Sequence, residues 1–186
     1  KKREKSIEFI KIAINSLEVF ESKRIVIHPS SPANKGVNDK YEYLEYGLEK
    51  IIRTTEKLGI KIALENIPSE LGKTDKLLNF INSLGNTNVK NCIDTGHALI
   101  TEKGSYFHSI EKMLPNCINI HLHDNDGKTD LHLLPKEGKI NWMKFKNSLS
   151  KFTYSEQLTY EIKKKDNESY EEVLKKLSLL DIKNGK

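Results

Sequence analysis

The stretch Ile60-Lys61-Ile62-Ala63-Leu64-Glu65-Asn66 is a short, nearly continuous apolar run that ends on a carboxylate and is closed by Pro68. Its length, its branched side chains and its flanking Gly59 and Pro68 predict a strand covered on both faces. Asp75 to Leu84 then carries helical spacing, with Gly85 behind it at a natural C-cap position. Val89 to Asp94 is a second apolar run, and it too ends on an acid. Strand, helix, strand within about 30 residues is the unit that joins parallel strands by a right-handed crossover.

The same unit recurs outward in both directions. Glu4 to Phe20 has a helical stripe at Ile7, Ile10, Ala13, Ile14 and Leu17, and Arg24 to His28 is a β-branched run stopped by Pro29. A Ser/Pro/Asn/Gly loop follows, and Tyr41 to Leu58 predicts one helix ending at Gly59. Beyond Asp94 comes a helix closed by Ser109–Leu114, a strand from Cys117 to His123, and a polar loop to Gly138. Helix 141–150, strand 157–161 and helix 169–180 complete the chain. One helix followed by five strand–helix steps predicts an α/β fold with a parallel sheet, and no linker divides it, so residues 1–186 read as a single domain.

Composition agrees. With 37% hydrophobic and 31% charged residues, 186 residues suffice for a core and exclude a disordered tail or a small disulfide scaffold. No apolar stretch approaches the roughly 20 residues of a membrane span, and the basic start lacks an apolar signal region, so the expected location is the cytoplasm. The net charge of +5 comes from lysines spread over helix faces, which reads as a solvated surface ahead of a nucleic-acid patch. Cys92 and Cys117 lie in apolar runs without CxxC spacing and read as reduced core residues.

The informative feature is what ends each strand: His28, Glu65, Asp94, His121 with His123, and Glu161. In a parallel barrel all strand C-termini face one side, and that face carries the active site. Singly, each residue has an ordinary explanation, such as Asp94 capping the next helix or Glu65 pairing with a lysine. Together they would be costly to bury without a cation, and nitrogen and oxygen donors without thiolate suit a borderline divalent ion. Five of the six histidines fall at these strand ends or in the segments that follow them, His97 and His132 being the latter, and only His108 lies elsewhere. The loop after the fourth strand is rich in Asp but fails as an EF-hand, since Gly127 is misplaced and no Glu stands at the twelfth position. Asp130-x-His132 is the better pair there, with His97 in reach of the same place; a solvated loop is the alternative. Lys128 and Lys136 flank it and could meet a phosphate or a sugar hydroxyl.

The segments Val26-Ile27-His28-Pro29, Ala63-Leu64-Glu65-Asn66, Asp94-Thr95-Gly96-His97-Ala98 and Ile120-His121-Leu122-His123-Asp124-Asn125-Asp126-Gly127 occur in order. Asp130-Leu131-His132, Gly138-Lys139-Ile140-Asn141-Trp142 and Tyr160-Glu161 follow them. Together they resemble the xylose-isomerase-like TIM-barrel superfamily, which includes sugar and sugar phosphate isomerases and epimerases and the endonuclease IV type of apurinic-site nuclease. The resemblance implies that Glu65, Asp94, His121 and Glu161 hold one divalent cation (manganese, zinc, magnesium or cobalt). In the sugar branch Glu65 and Glu161 also move the protons through a metal-stabilised enediolate. His28 and His97 would orient substrate oxygens, and His123, Asp130 and His132 would bind substrate or a further metal.

In the nuclease branch the resemblance implies three zinc ions: His28, Glu65 and Glu161 on one, Glu65, Asp94, His121 and Glu161 on the next, and His97, Asp130 and His132 on the third. A further His of that branch has no counterpart here. That branch usually reads Asp-Thr-Cys-His where this chain has Gly96, and Asn where it has His123. The Gly138–Trp142 ending also looks like the sugar enzymes, although Lys136 replaces a glycine common there. The reading is therefore a sugar isomerase or epimerase with a small-molecule sugar substrate, ahead of an abasic-DNA nuclease and of an inactive or incomplete metal-binding member. From His28 to Glu161 is 133 residues for four steps, so a full eight-unit barrel would take roughly 260. The chain thus reads as the last five βα units of a (β/α)8 barrel. Its sheet edges would then be completed by a partner chain, a second copy, or residues outside this sequence.

Overall fold

The computed structural model describes residues 2–30, 41–180 and 182; the predicted loop after Pro29 lies at 31–40, outside them. The chain forms two compact units, Lys1–Cys92 and Ile93–Lys186. Their boundary falls inside a strand rather than in a linker.

The first unit opens with α1 (Lys2–Leu17) and β1 (Arg24–Ile27). Of the predicted stripe on α1, Ile7 and Ile14 are buried, Ile10 and Leu17 are half-buried, and Ala13 is exposed. The single helix predicted over 41–58 is two, α2 (Tyr41–Glu49) and α3 (Ile52–Lys57). Gly47 weakens the end of the first, and the chain tightens into three-residue turns, Lys50 N to Gly47 O at 3.2 Å and Ile51 N to Leu48 O at 3.0 Å. β2 (Lys61–Glu65), α4 (Thr74–Ser83) and β3 (Val89–Asp94) follow, each within a residue of prediction. β1 pairs parallel to β2, Ile27 opposite Leu64, and β2 pairs parallel to β3, Glu65 opposite Cys92. Ile62, Ala63 and Leu64 are fully buried, as their continuous apolar run requires.

The second unit carries the end of β3, then α5 (Thr95–Glu102) and α6 (Tyr106–Met113), where one helix was predicted. A 3₁₀ turn at Lys103–Ser105 divides them, with Lys103 at φ 48°. β4 (Cys117–Leu122), α7 (Trp142–Lys151), β5 (Gln157–Tyr160) and α8 (Tyr170–Ser178) follow. β4 and β5 pair parallel, His121 opposite Thr159, and all six residues of β4 are buried. β1 and β5, by contrast, are part-exposed along their length. Cys92 and Cys117 are both buried, as core residues should be, and neither is in a disulfide. Burial pushes the Cys117 thiol up to about 12, which leaves it protonated and unreactive. Among the described residues no helix is long and apolar enough to cross a membrane.

Two glycines have opposite roles. Gly85 closes α4 at φ 58°, whereas a Cβ at Gly47 would meet no atom within 4 Å. Gly85→Ala is expected to cost about 1 kcal/mol and Gly47→Ala to add about 0.5 kcal/mol, read as opposite shifts of the urea midpoint.

Candidate metal centre

The site residues stand where strands stop. In the first unit, His28 follows β1 and Glu65 ends β2, and His28 Nε2 lies 3.4 Å from Glu65 Oε2. Glu65 is buried, while the His28 side chain is half-exposed.

In the second unit Asp94 ends β3 and caps α5, its Oδ1 accepting the His97 amide at 2.7 Å. It is therefore both a helix cap and a candidate ligand. A carboxylate at a helix N-terminus is favoured by the backbone dipole. Thr95 ties this corner to the end of β4: its hydroxyl donates to His123 O at 2.8 Å and accepts the His123 amide at 3.2 Å. His121, buried on β4, has Nδ1 3.1 Å from Oε1 of Glu161, the residue after β5.

Two groups of donors result. Asp94, His121 and Glu161 each offer an atom within 4.8 Å of the others, and so do His97, His123, Asp130 and His132. The first group offers oxygen, nitrogen and oxygen, a set that fits a borderline divalent ion. The second is centred on Asp130, with the Nε2 atoms of His97 and His132 at 3.2 and 3.3 Å from its Oδ2 and that of His123 at 3.8 Å from its Oδ1. Burial opposes the charge on Asp130, but hydrogen bonds with His132 and His97 outweigh it and hold the carboxyl well below its usual range. The same bond to Asp130 raises His132 to about 9.

Asp130 and His132 sit in the long loop after β4, and sequence reasoning missed what folds that loop. Asp124 is fully buried. Its carboxylate accepts the Trp142 indole N–H at 2.7 Å and the amides of Asn125, Ile140 and Lys136 at 2.9, 3.0 and 3.1 Å. Its own backbone pairs with Leu133 through two 2.8 Å bonds, which sets the return of the chain just past His132. A Cβ at Gly138 would overlap this carboxylate, which is why a glycine stands there. The only sequence clue was Trp142, a donor that needs a partner when buried. Asp126, the centre of the rejected calcium-loop reading, instead accepts the Lys128 and Thr129 amides at 2.8 and 2.7 Å, an Asx turn.

Asp124→Ala strands four donors, three of them on the buried residues Asn125, Ile140 and Trp142, and is expected to cost on the order of 3 kcal/mol, measured by urea unfolding. In metal-free protein the raised His132 makes the folded state bind more protons than the unfolded one between about pH 6.5 and 9. Its stabilisation is complete below that window and is lost as pH rises through it. Asp130→Asn is expected to flatten that fall in the urea midpoint.

The family model of the xylose isomerase-like TIM barrel matches residues 1–180. An uncharacterized protein of Methanocaldococcus jannaschii is 31% identical over 193 aligned positions, covering 99% of this chain and 65% of that protein. A probable endonuclease 4 of Natranaerobius thermophilus is 32% identical over 101 residues, 52% of this chain and 35% of that protein. The crystal structure of a D-tagatose 3-epimerase-like protein superposes with a TM-score of 0.74 at 28% identity, covering 94% of this chain and 68% of that one. The chain spans less than two thirds of the first of these relatives. Its strand–helix steps are those of the TIM-barrel class, and the chain belongs to the xylose isomerase-like TIM barrel family.

Proposed function

We propose that this chain is the catalytic part of a divalent-metal-dependent sugar or sugar phosphate isomerase or epimerase. The observation that carries the reading is the convergence of Asp94, His121 and Glu161 at the ends of consecutive strands, ligand atoms within 4.8 Å. Similarity to a D-tagatose 3-epimerase-like protein supports it. Glu65 joins these three on the resemblance of Ala63-Leu64-Glu65-Asn66 to the family pattern, within one barrel-type domain; the continuous family match over residues 1–180 supports that grouping.

One bound cation (manganese, zinc, magnesium or cobalt) supplies Lewis acidity that lowers the cost of removing a proton beside a carbonyl. The protein's own residues do the rest. Glu65 and Glu161 exchange the proton at the sugar carbon, one as base and the other as acid. Asp94 and His121 complete the metal shell. His28 and His97 present N–H groups to substrate oxygens, and the loop holding Asp130 and His132 excludes water from that side. The setting proposed is the cytoplasm, with the remaining barrel strands supplied outside this sequence or by a partner subunit.

A second reading follows from a separate observation. His97, His123, Asp130 and His132 form their own donor group, and the similarity to a probable endonuclease 4 fits an abasic-site nuclease with up to three zinc ions. A metal-binding member without turnover is the third reading.

Glu161→Gln is expected to abolish ketose epimerisation and exchange of the substrate proton with D2O while leaving the circular dichroism spectrum unchanged. Near-normal turnover by that variant would sink the mechanism. Elemental analysis is expected to give about one ion per chain; three zinc ions with cleavage of abasic duplex DNA would establish the nuclease instead.

A further inference from the structure

His123 is buried without any exposed surface, at the first position past β4. Its Nε2 lies 2.8 Å from Asp94 Oδ1 and 3.0 Å from Oδ2. A carboxylate only accepts, so Nε2 carries the proton and donates to Asp94. Nδ1 has no hydrogen-bond partner among the described residues, and the ring lies flat on His132, centroids 4.1 Å apart and planes 16° from parallel. The imidazole therefore commits its short polar contact to Asp94.

The ring occupies space that a side chain at position 96 would fill. A Cβ built on Gly96 would stand 2.5 Å from His123 Nδ1 and closer still to Cε1, and its three nearest atoms all belong to that ring. Gly96 lies in the first turn of α5 at a φ that needs no glycine, since the positive-φ glycines are 59, 85 and 127. Helix propensity alone would favour alanine there by about 1 kcal/mol. The glycine is explained by the ring and by nothing in its own backbone.

We propose that Gly96 and His123 form a single positioning device that fixes the Asp94 carboxylate for the metal. Glycine at 96 is the condition for the imidazole to reach it. The proposal deepens the metal-dependent reading above and rests on Asp94 being a ligand. The His97 amide holds Oδ1 from the helix side, and His123 closes on the carboxylate from β4. With both donors in place the carboxylate cannot swing about its Cβ–Cγ bond, so its remaining lone pairs keep one direction. Hydrogen-bond partners of a ligand typically change metal affinity by about 10- to 100-fold when removed.

The test is a double-mutant cycle with two readouts. Co2+ binding is followed by visible absorption in the parent protein, His123→Ala, Gly96→Ala and the double variant. Urea midpoints are measured on the same four proteins in EDTA. Each single variant is expected to bind Co2+ about 10- to 100-fold more weakly, and the double variant no more weakly than His123→Ala. In EDTA, Gly96→Ala is expected to lower the midpoint when His123 is present and to leave or raise it when His123 is Ala. Failure of Gly96→Ala to fold, with folding regained in the double variant, supports the same device. His123→Ala binding Co2+ like the parent overturns the positioning role while leaving the metal reading standing, and losses that multiply in the double variant overturn the pairing. A parent protein that takes up no Co2+ overturns the metal reading itself and the positioning role with it.

Discussion

A buried carboxylate must be met by donors, because an unpaired charge in a protein interior costs several kcal/mol. Asp94 is fully buried where β3 gives way to α5, and its surroundings are organised by that requirement. The amide of His97 answers one oxygen as a helix cap, and the His123 ring spans both. Thr95 then fastens the start of α5 to the end of β4 through the His121 and His123 carbonyls. The strand end, the helix start and the neighbouring strand are thus bound around one anion. A residue placed to hold a cation is thus also one whose position the local fold fixes.

A second buried carboxylate does for the loop what Asp94 does for the strand ends. Connections of this length are ordinarily the variable part of an α/β unit. Here Asp124 gathers four N–H donors from both ends of the loop, so Asp130 and His132 are carried on a braced segment. The bracing has a local cost: His132 and Lys136 adopt φ values of 49° and 78°, a region that side chains disfavour. Both are held there by bonds, His132 Nδ1 to Glu161 O at 2.8 Å and the Lys136 amide to Asp124 at 3.1 Å. At Lys136 the left-handed backbone gives the physical reason a glycine suits that position.

Strand ends are legible where three signals coincide: an apolar run, a Pro or Gly breaker and a polar residue. β2, β3 and β4 fall within one residue of their predicted limits for that reason. The helix breaks at Lys50–Ile51 and Lys103–Ser105 carry only a single glycine each, Gly47 and Gly104, which helices tolerate, and Lys103 gives no sign of its positive φ. The half-exposure of β1 and β5 is not written in their apolar runs, which do not say how many neighbours a strand has, but in the count of only five strand–helix steps. The role of Asp124 is illegible for a different reason. It stands among Asp126 and Asp130, and three of its four donors are main-chain amides that sequence does not encode. The sequence marks His123 as a candidate ligand, whereas its contact with Asp94 and its dependence on Gly96 exist only across the β3–β4 ends.

That dependence changes how the two family branches are weighed. Gly96 and His123 were separate departures from the nuclease pattern. In three dimensions they are one, because the ring stands where the missing Cβ would be. A chain that keeps an imidazole at 123 must keep glycine at 96, so the second departure adds nothing once the first is known. The His97, Asp130 and His132 group meanwhile retains donors within ligand distance of one another, and His123 stacks on it without displacing any of the three. The distinction between the chemistries therefore lies less in the count of altered motif residues than in how many cations the two carboxylate-centred groups hold. Asp94 and Asp130 are the residues on which that number turns.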